Sequence, residues 1–166
     1  SLEPTSLLLL PDFAGSGTPR FDTAPKGAIL GLTLATDKTD LAKAILEGLT
    51  FELRLNLDLL KDGGVRIDEI RAIGGGARSE LWLQLKADIT GIPVVVPRIT
   101  EAAGWGAALL AGMGAGHFAS AAEAADEMLR LERRFEPDRA RAARYEERYA
   151  LYREVYPAVK GLHHRM

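Results

Sequence analysis

The stretch Glu69 to Gly91, EIRAIGGGARSELWLQLKADITG, constrains this chain more than any other. A strand pattern runs into Gly74-Gly75-Gly76 and then directly into a helix pattern. Strand, turn and helix in that order is the unit from which α/β folds are assembled. Glycine lets the backbone approach a ligand where a Cβ would collide. The helix start that follows offers unpaired N–H groups and partial positive charge. The local pattern leaves two readings open, a tight turn with no ligand and a nucleotide contact. A P-loop needs Gly-Lys-Ser/Thr, whereas Ala77-Arg78-Ser79 follows Gly76 here. The dinucleotide fingerprint Gly-x-Gly-x-x-Gly fits Gly74 and Gly76 but meets Ser79 in place of the third glycine. In that reading Arg98, after the next strand, is available to a 2′-phosphate.

Around this unit the pattern alternates strands with helices. Leu7 to Leu10 reads as a buried strand, Pro11 to Lys26 as a loop, and Ala28 to Leu34 as a second strand. From Asp37, a candidate N-cap, Leu41, Ile45, Leu49, Leu53, Leu57 and Leu60 recur at helical spacing until Gly63-Gly64. Val65 to Ile73 alternates as a strand, with a turn near Asp68. Ser79 to Thr90 is the next helix, with Leu81, Trp82, Leu85 and Ile89 on its buried side. Pro93 to Val96 is a short strand, and Thr100 caps a helix EAAGWGAALLAGMGAG. Gly104, Gly106 and Gly112 inside that helix each cost on the order of 1 kcal/mol relative to alanine, so close packing against a sheet or helix is expected. Two more helices follow, Ser120 to Arg134 (apolar set Ala121, Ala124, Ala125, Met128, Leu129, Leu131) and Asp138 to about Val159. The last carries Tyr145, Tyr149, Tyr152 and Tyr156, a stripe expected to dock on the domain. The expected fold is α/β, a mixed sheet flanked by helices with a helical C-terminal tail.

Composition excludes several functions. With 166 residues the chain fits one domain. It has no cysteine, so disulfides, zinc–thiolate sites and a cysteine nucleophile are ruled out. Twenty-one basic against 23 acidic residues leave no broad footprint for nucleic acid. No apolar run approaches the ~20 residues of a membrane helix, and no signal peptide is visible. A cytoplasmic setting is expected. The chain opens at Ser1 and reaches a leucine run at once, which reads as a piece of something longer.

The remaining candidates are weaker. Phe13, Arg20 and Phe21 sit on the long loop, where they either line a binding edge or pin the loop onto the core. Glu101 suits the start of its helix, with no visible catalytic partner. His117, His163 and His164 lack metal-ligand spacing, and the last two are expected in a frayed terminus. No metal-ligating set is expected.

Three stretches together resemble the C-terminal domain of the FGGY carbohydrate kinases. They are Pro11-Asp12-Phe13-Ala14-Gly15-Ser16-Gly17-Thr18-Pro19; Gly27, Ile29, Gly31 and Leu32 followed by Asp40, Leu41, Ala44, Ile45, Leu46 and Glu47; and Gly74 to Ser79 with Gln84, Ala87-Asp88-Ile89, Gly91, Pro93-Val94, Pro97, Glu101-Ala102 and Gly106-Ala107-Ala108. The resemblance covers nearly all of residues 7 to 118. It implies a ribonuclease H-like fold of the actin and Hsp70 type. It also implies that residues 1 to 166 are a single ATP-binding domain, lacking the N-terminal sugar-binding domain. The adenosine site then falls on Gly74, Gly75, Gly76 and Ser79, where relatives often have Asn at the last position. The intact enzyme would move a phosphoryl group from ATP, with Mg²⁺, to a sugar or polyol hydroxyl. Its catalytic aspartate would lie on the missing domain, so the fragment alone is expected to be inactive. Its partners would be ATP, the sugar and the N-terminal kinase domain, and a homodimer is compatible with the family. The alternatives are a dinucleotide-binding enzyme domain and a non-catalytic assembly module of the same fold.

Overall fold

The structure, a computed structural model, describes residues 1–98, 101–128 and 130–166, and of residues 126–128 the backbone alone. Strand β1 (Leu8–Leu10) pairs antiparallel with β2 (Ala28–Leu30), Leu8 opposite Leu30. Helix α1 (Lys38–Asp62) starts at the expected cap. Asp37 Oδ1 accepts from the Thr39 and Asp40 N–H groups, and the Asp40 carboxylate returns to the Asp37 N–H. This reciprocal box satisfies N–H groups that a helix start would otherwise leave unpaired.

The buried face of α1 takes in only part of the leucine row: Leu57 is buried and Leu41 and Leu53 are half-buried. Ile45, Leu49 and Leu60 are exposed, and Lys43, Ala44, Glu47, Gly48, Thr50, Phe51 and Leu57 are buried. Gly48 lies directly on the Leu9 carbonyl of β1, with no room for a Cβ. That approach rotates the helix so that Glu47 and Lys43 turn inward. The buried charge is partnered: Glu47 accepts from Thr5 N and Thr5 Oγ1 and faces Lys43 Nζ at 3.4 Å. A buried carboxylate with such partners is tolerated where a bare one is not.

The second sheet is mixed. Strand β3 (Ile70–Arg71) runs parallel to β4 (Val94–Pro97), and β5 (Leu131–Phe135) runs antiparallel to β4 with Val94 opposite Phe135. The expected strand over Val65 to Ile73 thus contracts to two residues, and the strands form two small sheets rather than one. The expected helix over Ser120 to Arg134 is also corrected. Helix α4 (Ala121–Met128) stops, and β5 takes over because β4, buried on every residue, needs a second hydrogen-bonding neighbour. Leu129 lies outside the described residues, as does the expected Thr100 cap.

Helix α2 (Glu80–Thr90) lies between two cores. On one side Leu83 and Ala87 meet Ala72, Ala77, Val94 and Val96. On the other Leu85 and Ile89 join Leu10, Phe51, Tyr145, Tyr149, Tyr152 and Val155. Leu81, placed inward by the sequence pattern, is exposed. The tyrosines come from helix α5 (Arg139–His163), capped by Asp138 and docked on α2 and β1, with its rings reaching Phe51 of α1. Their rings gather around Phe51, with centroids 6.4, 5.9 and 4.9 Å away for Tyr145, Tyr149 and Tyr152. Each tyrosine hydroxyl reaches a carboxylate: Tyr145 to Glu47 at 3.0 Å, Tyr149 to Asp58 at 2.7 Å, Tyr152 to Glu52, and Tyr156 to Asp22 at 2.7 Å. Buried Asp88 ties the start of α5 to α2 through Asp138 N and Arg141 Nε, at 2.8 and 2.7 Å. Helix α3 (Ala102–Gly114) buries no residue.

Candidate functional site

The glycine turn stands at the junction of β3 and α2. Gly74 has φ of 71°, the left-handed side that a residue with a Cβ seldom adopts. Gly75 to Arg78 then close a single 3₁₀ turn, with Ala77 N–H donating to Gly74 O at 3.1 Å. Ala77 is fully buried, and Arg133 of β5 donates to its carbonyl at 2.8 Å, fixing the turn from below. Around a Cβ placed on Gly74 or Gly75 nothing lies within 4 Å. Gly76 differs: a Cβ there would come within 3.0 Å of the Trp82 ring. The three glycines therefore answer to a positive φ, an open side and a crowded side.

Ser79 ends the turn and caps α2, its Oγ accepting from Trp82 N–H at 3.3 Å. Its hydroxyl proton remains available to a ligand. The four residues assigned by resemblance, Gly74, Gly75, Gly76 and Ser79, therefore belong to one turn, with Gly74 and Gly75 open and Gly76 against Trp82. Sequence reasoning placed Trp82 in the buried set of α2 and missed its contact with the turn. The cue was its position three residues into a helix, because helical side chains lean back over the preceding turn. Lys86, one turn further, lies 4.1 Å over the same ring, and burial lowers its ammonium below the usual lysine range.

Charged side chains flank the turn, and Arg133 faces Glu80 at 3.6 Å. Arg78, largely exposed, faces Glu101 at 3.8 Å, so Glu101 is a surface ion-pair partner at the start of α3. Arg98 is exposed, and its N–H donates to Arg130 O at 2.8 Å. Among the described residues no group of three Asp, Glu or His side chains comes together to hold a metal ion. A groove of about 310 Å³ lies elsewhere, between the end of α1 and α5, lined by Pro19, Leu55, Asp58, Tyr149 and Arg153. It shares no lining residue with the turn.

The long loop resolves its two readings in an unexpected way. Phe13 and Phe21 are 64% and 78% exposed; Phe13 lies over Gly27 rather than in the core. Arg20 pins the loop: it pairs with Glu52 at 3.0 Å and lies 4.5 Å over the Tyr156 ring. Buried Asp12 lies beside it, its carboxyl raised by desolvation first and by Glu52 second. His163 and His164 are not frayed. His163 is buried with Nδ1 accepting from Lys26 N–H, and His164 Nε2 meets Asp22 at 2.6 Å.

Comparison with known proteins places this geometry. Residues 1–115 match the FGGY family of carbohydrate kinases, C-terminal domain. A glycerol kinase of Solidesulfovibrio magneticus is 40% identical over 139 residues, which are 83% of this chain and 28% of that protein. The ligand-bound xylulose kinase of Lactobacillus acidophilus superposes with a TM-score of 0.84 at 27% identity, covering 95% of this chain and 33% of that one. The Plasmodium falciparum glycerol kinase with ADP superposes with a TM-score of 0.77 at 25% identity, covering 93% and 31%. The chain thus spans no more than a third of the length of these relatives. No helix among the described residues is long and apolar enough to cross a membrane. The chain belongs to the FGGY family of carbohydrate kinases and matches its C-terminal domain.

Proposed function

We propose that this chain is the nucleotide-binding part of a larger kinase that transfers the γ-phosphoryl group of ATP to a hydroxyl of a sugar or polyol. The observation that carries this reading is the open side of the Gly74–Gly75 turn at the capped start of α2. An adenosine ring edge fits backbone N–H groups with no Cβ in front of them. Ser79, its oxygen already engaged by Trp82 N–H, donates its proton to a ring nitrogen. The ADP held by the Plasmodium falciparum relative supports a nucleotide as the ligand.

In the reaction the substrate oxygen bonds to the γ-phosphorus, and the bond from that phosphorus to the β,γ-bridging oxygen breaks. ADP leaves, and the hydroxyl proton passes to a carboxylate base on the sugar-binding domain. Such transfer depends on positioning and charge stabilisation around the γ-phosphate. This chain's part is positioning: it fixes the adenosine end so that the phosphates project towards the other domain. The described residues do not fit a Mg²⁺ cage, and no step here runs through one.

We infer a ribonuclease H-like domain within a two-domain enzyme from the family match and the superposition on xylulose kinase. Helix α3 has no charged side chain and buries nothing, and the row Ile45, Leu49 and Leu60 of α1 is bare. In this reading the sugar-binding part of the same kinase covers them. Titrating the intact enzyme with ATP and with a nicotinamide dinucleotide separates the proposal from the dinucleotide alternative. Gly75→Val should raise the KM for ATP by about tenfold or more while the fold stays intact, a loss of transition-state and ground-state binding alike. Unchanged ATP binding in that variant would leave the assembly-module reading standing. The chain alone should yield no sugar-dependent ADP.

A further inference from the structure

We propose that Trp82 is a positioning residue for the nucleotide, setting the height of the glycine turn through Gly76; this rests on the nucleotide reading given above. The indole leans back from the first turn of α2 and fills the place where a Gly76 Cβ would be, with Cζ3 and Cε3 at 3.0 and 3.4 Å from that position. The ring is itself held. Its Nε1–H donates to Thr50 Oγ1 at 3.1 Å, and Thr50, buried on α1, sends its own proton to Leu46 O at 2.6 Å. With its proton committed there, the Thr50 oxygen presents a lone pair to the indole. Lys86 Nζ lies 3.7 Å from the same Gly76 position and 4.1 Å over the ring.

The turn consequently has two supports of different kind. From β5, Arg133 holds the Ala77 carbonyl. From α1, Thr50 holds the indole on which Gly76 sits. Gly74 and Gly75 leave their open side to the ligand, and Gly76 turns its bare α-carbon to the ring. A shift of the indole by a few tenths of an ångström moves the Gly75 N–H relative to the adenosine.

The test uses the intact kinase and reads the ATP and sugar constants separately. Trp82→Leu should raise the KM for ATP about tenfold, with the sugar KM and kcat within about twofold. Trp82→Phe, which keeps a ring, should recover most of that loss. Gly76→Ala, which adds the colliding methyl, should cost about fivefold in the parent and under about twofold in the Trp82→Leu background, because contacting residues are not additive. Should Trp82→Leu not fold, Thr50→Val against Thr50→Ser supplies the same readout: the valine should raise the ATP constant and the serine restore it. The proposal is overturned if the ATP and sugar constants move together, if neither moves, or if Gly76→Ala costs the same in both backgrounds. Gly75→Val separates the levels. If it raises the ATP constant while the Trp82 variants do not, the positioning role fails alone. If Gly75→Val leaves ATP untouched, the nucleotide reading falls with it.

Discussion

Helices α5 and α3 invert the usual expectation. Helix α5 is rich in Arg and Glu, yet it buries Tyr145, Tyr149, Tyr152 and Val155. Helix α3 has no charged residue, yet it buries none. Its packing is against α4, and Gly112 alone of its glycines meets a neighbour, the Phe118 ring. A helix apolar all round ordinarily belongs in a core. The difference is one of partners. The α5 tyrosines find Phe51 and four carboxylates within this chain, whereas α3 packs mainly on α4 among the described residues. Burial is therefore a property of the whole fold, and composition reports only the demand for it.

The largest test of the contrast is Tyr152→Ala. Tyr152 is fully buried at the centre of the Phe51 cluster. Its loss should lower unfolding free energy by about 3–5 kcal/mol, the usual cost of emptying a large aromatic site. Denaturant unfolding of the parent and the variant measures it. A loss near zero would mean that α5 is only laid on the surface. The alkaline limb has the same origin. Burial and the adjacent carboxylates raise Tyr145, Tyr149 and Tyr152 well above the ordinary tyrosine value of 10.0. For an acid raised in this way, stability is complete below the unfolded value and is lost as pH climbs towards the folded one. Unfolding should therefore set in above pH 10.0, and Tyr152→Phe should blunt it.

Helix α3 predicts the opposite pattern. Leu110 is 66% exposed, so Leu110→Ala should change the stability of this chain by no more than about 0.5 kcal/mol, as surface changes do. In the intact kinase the same change should cost about 2 kcal/mol, the lower range for a covered leucine. Equal small effects in both would show that α3 stays bare. Gly48→Ala probes the sealed side by overfilling. A methyl there meets the Leu9 carbonyl of β1, so α1 must lift, at about 1–3 kcal/mol.

These cases mark how far the residues could be read without coordinates. Local chemistry was legible: the Asp37 cap, the Gly63 stop, Ser79 opening α2 and the tyrosine spacing each depend on near neighbours in sequence. The glycine turn was legible for the same reason, although the separate roles of its three glycines were not, because the Trp82 contact needs a built helix. The α1 face was misread because six leucines and isoleucines at helical spacing describe a demand. Which side meets β1 is decided by Gly48, and Ile45, Leu49 and Leu60 of the row stay exposed. Strand β5 was misread because Leu131-Glu132-Arg133-Arg134 suits a helix locally, and only pairing with β4 overrides that. The Phe13, Arg20 and Phe21 loop inverted because Arg20 found Glu52 and Tyr156, both distant in sequence.

The smallest effect tests whether that loop belongs to the sealed side. Asp22 accepts from Tyr156 Oη at 2.7 Å and Ala24 N at 3.1 Å, and meets His164 Nε2 at 2.6 Å. These bonds, Tyr156 first and His164 next, lower its carboxyl from 3.8 to about 2. For an acid lowered in this way, the contribution is present above the unfolded value and is lost as pH falls through the folded one. The window therefore runs from 3.8 down to about 2. The Asp22 side chain is half-buried, and the solvent that still reaches it screens the interaction, so the effect should be modest. Asp22→Asn should be less stable than the parent at about pH 5 and should converge on it as pH falls below about 2, since protonation then removes the same charge from the parent. Two curves that stay parallel across the window would mean that Asp22 contributes nothing. Arg20 with Glu52 and Lys26 with His163 would then be the loop's ties to α1 and α5.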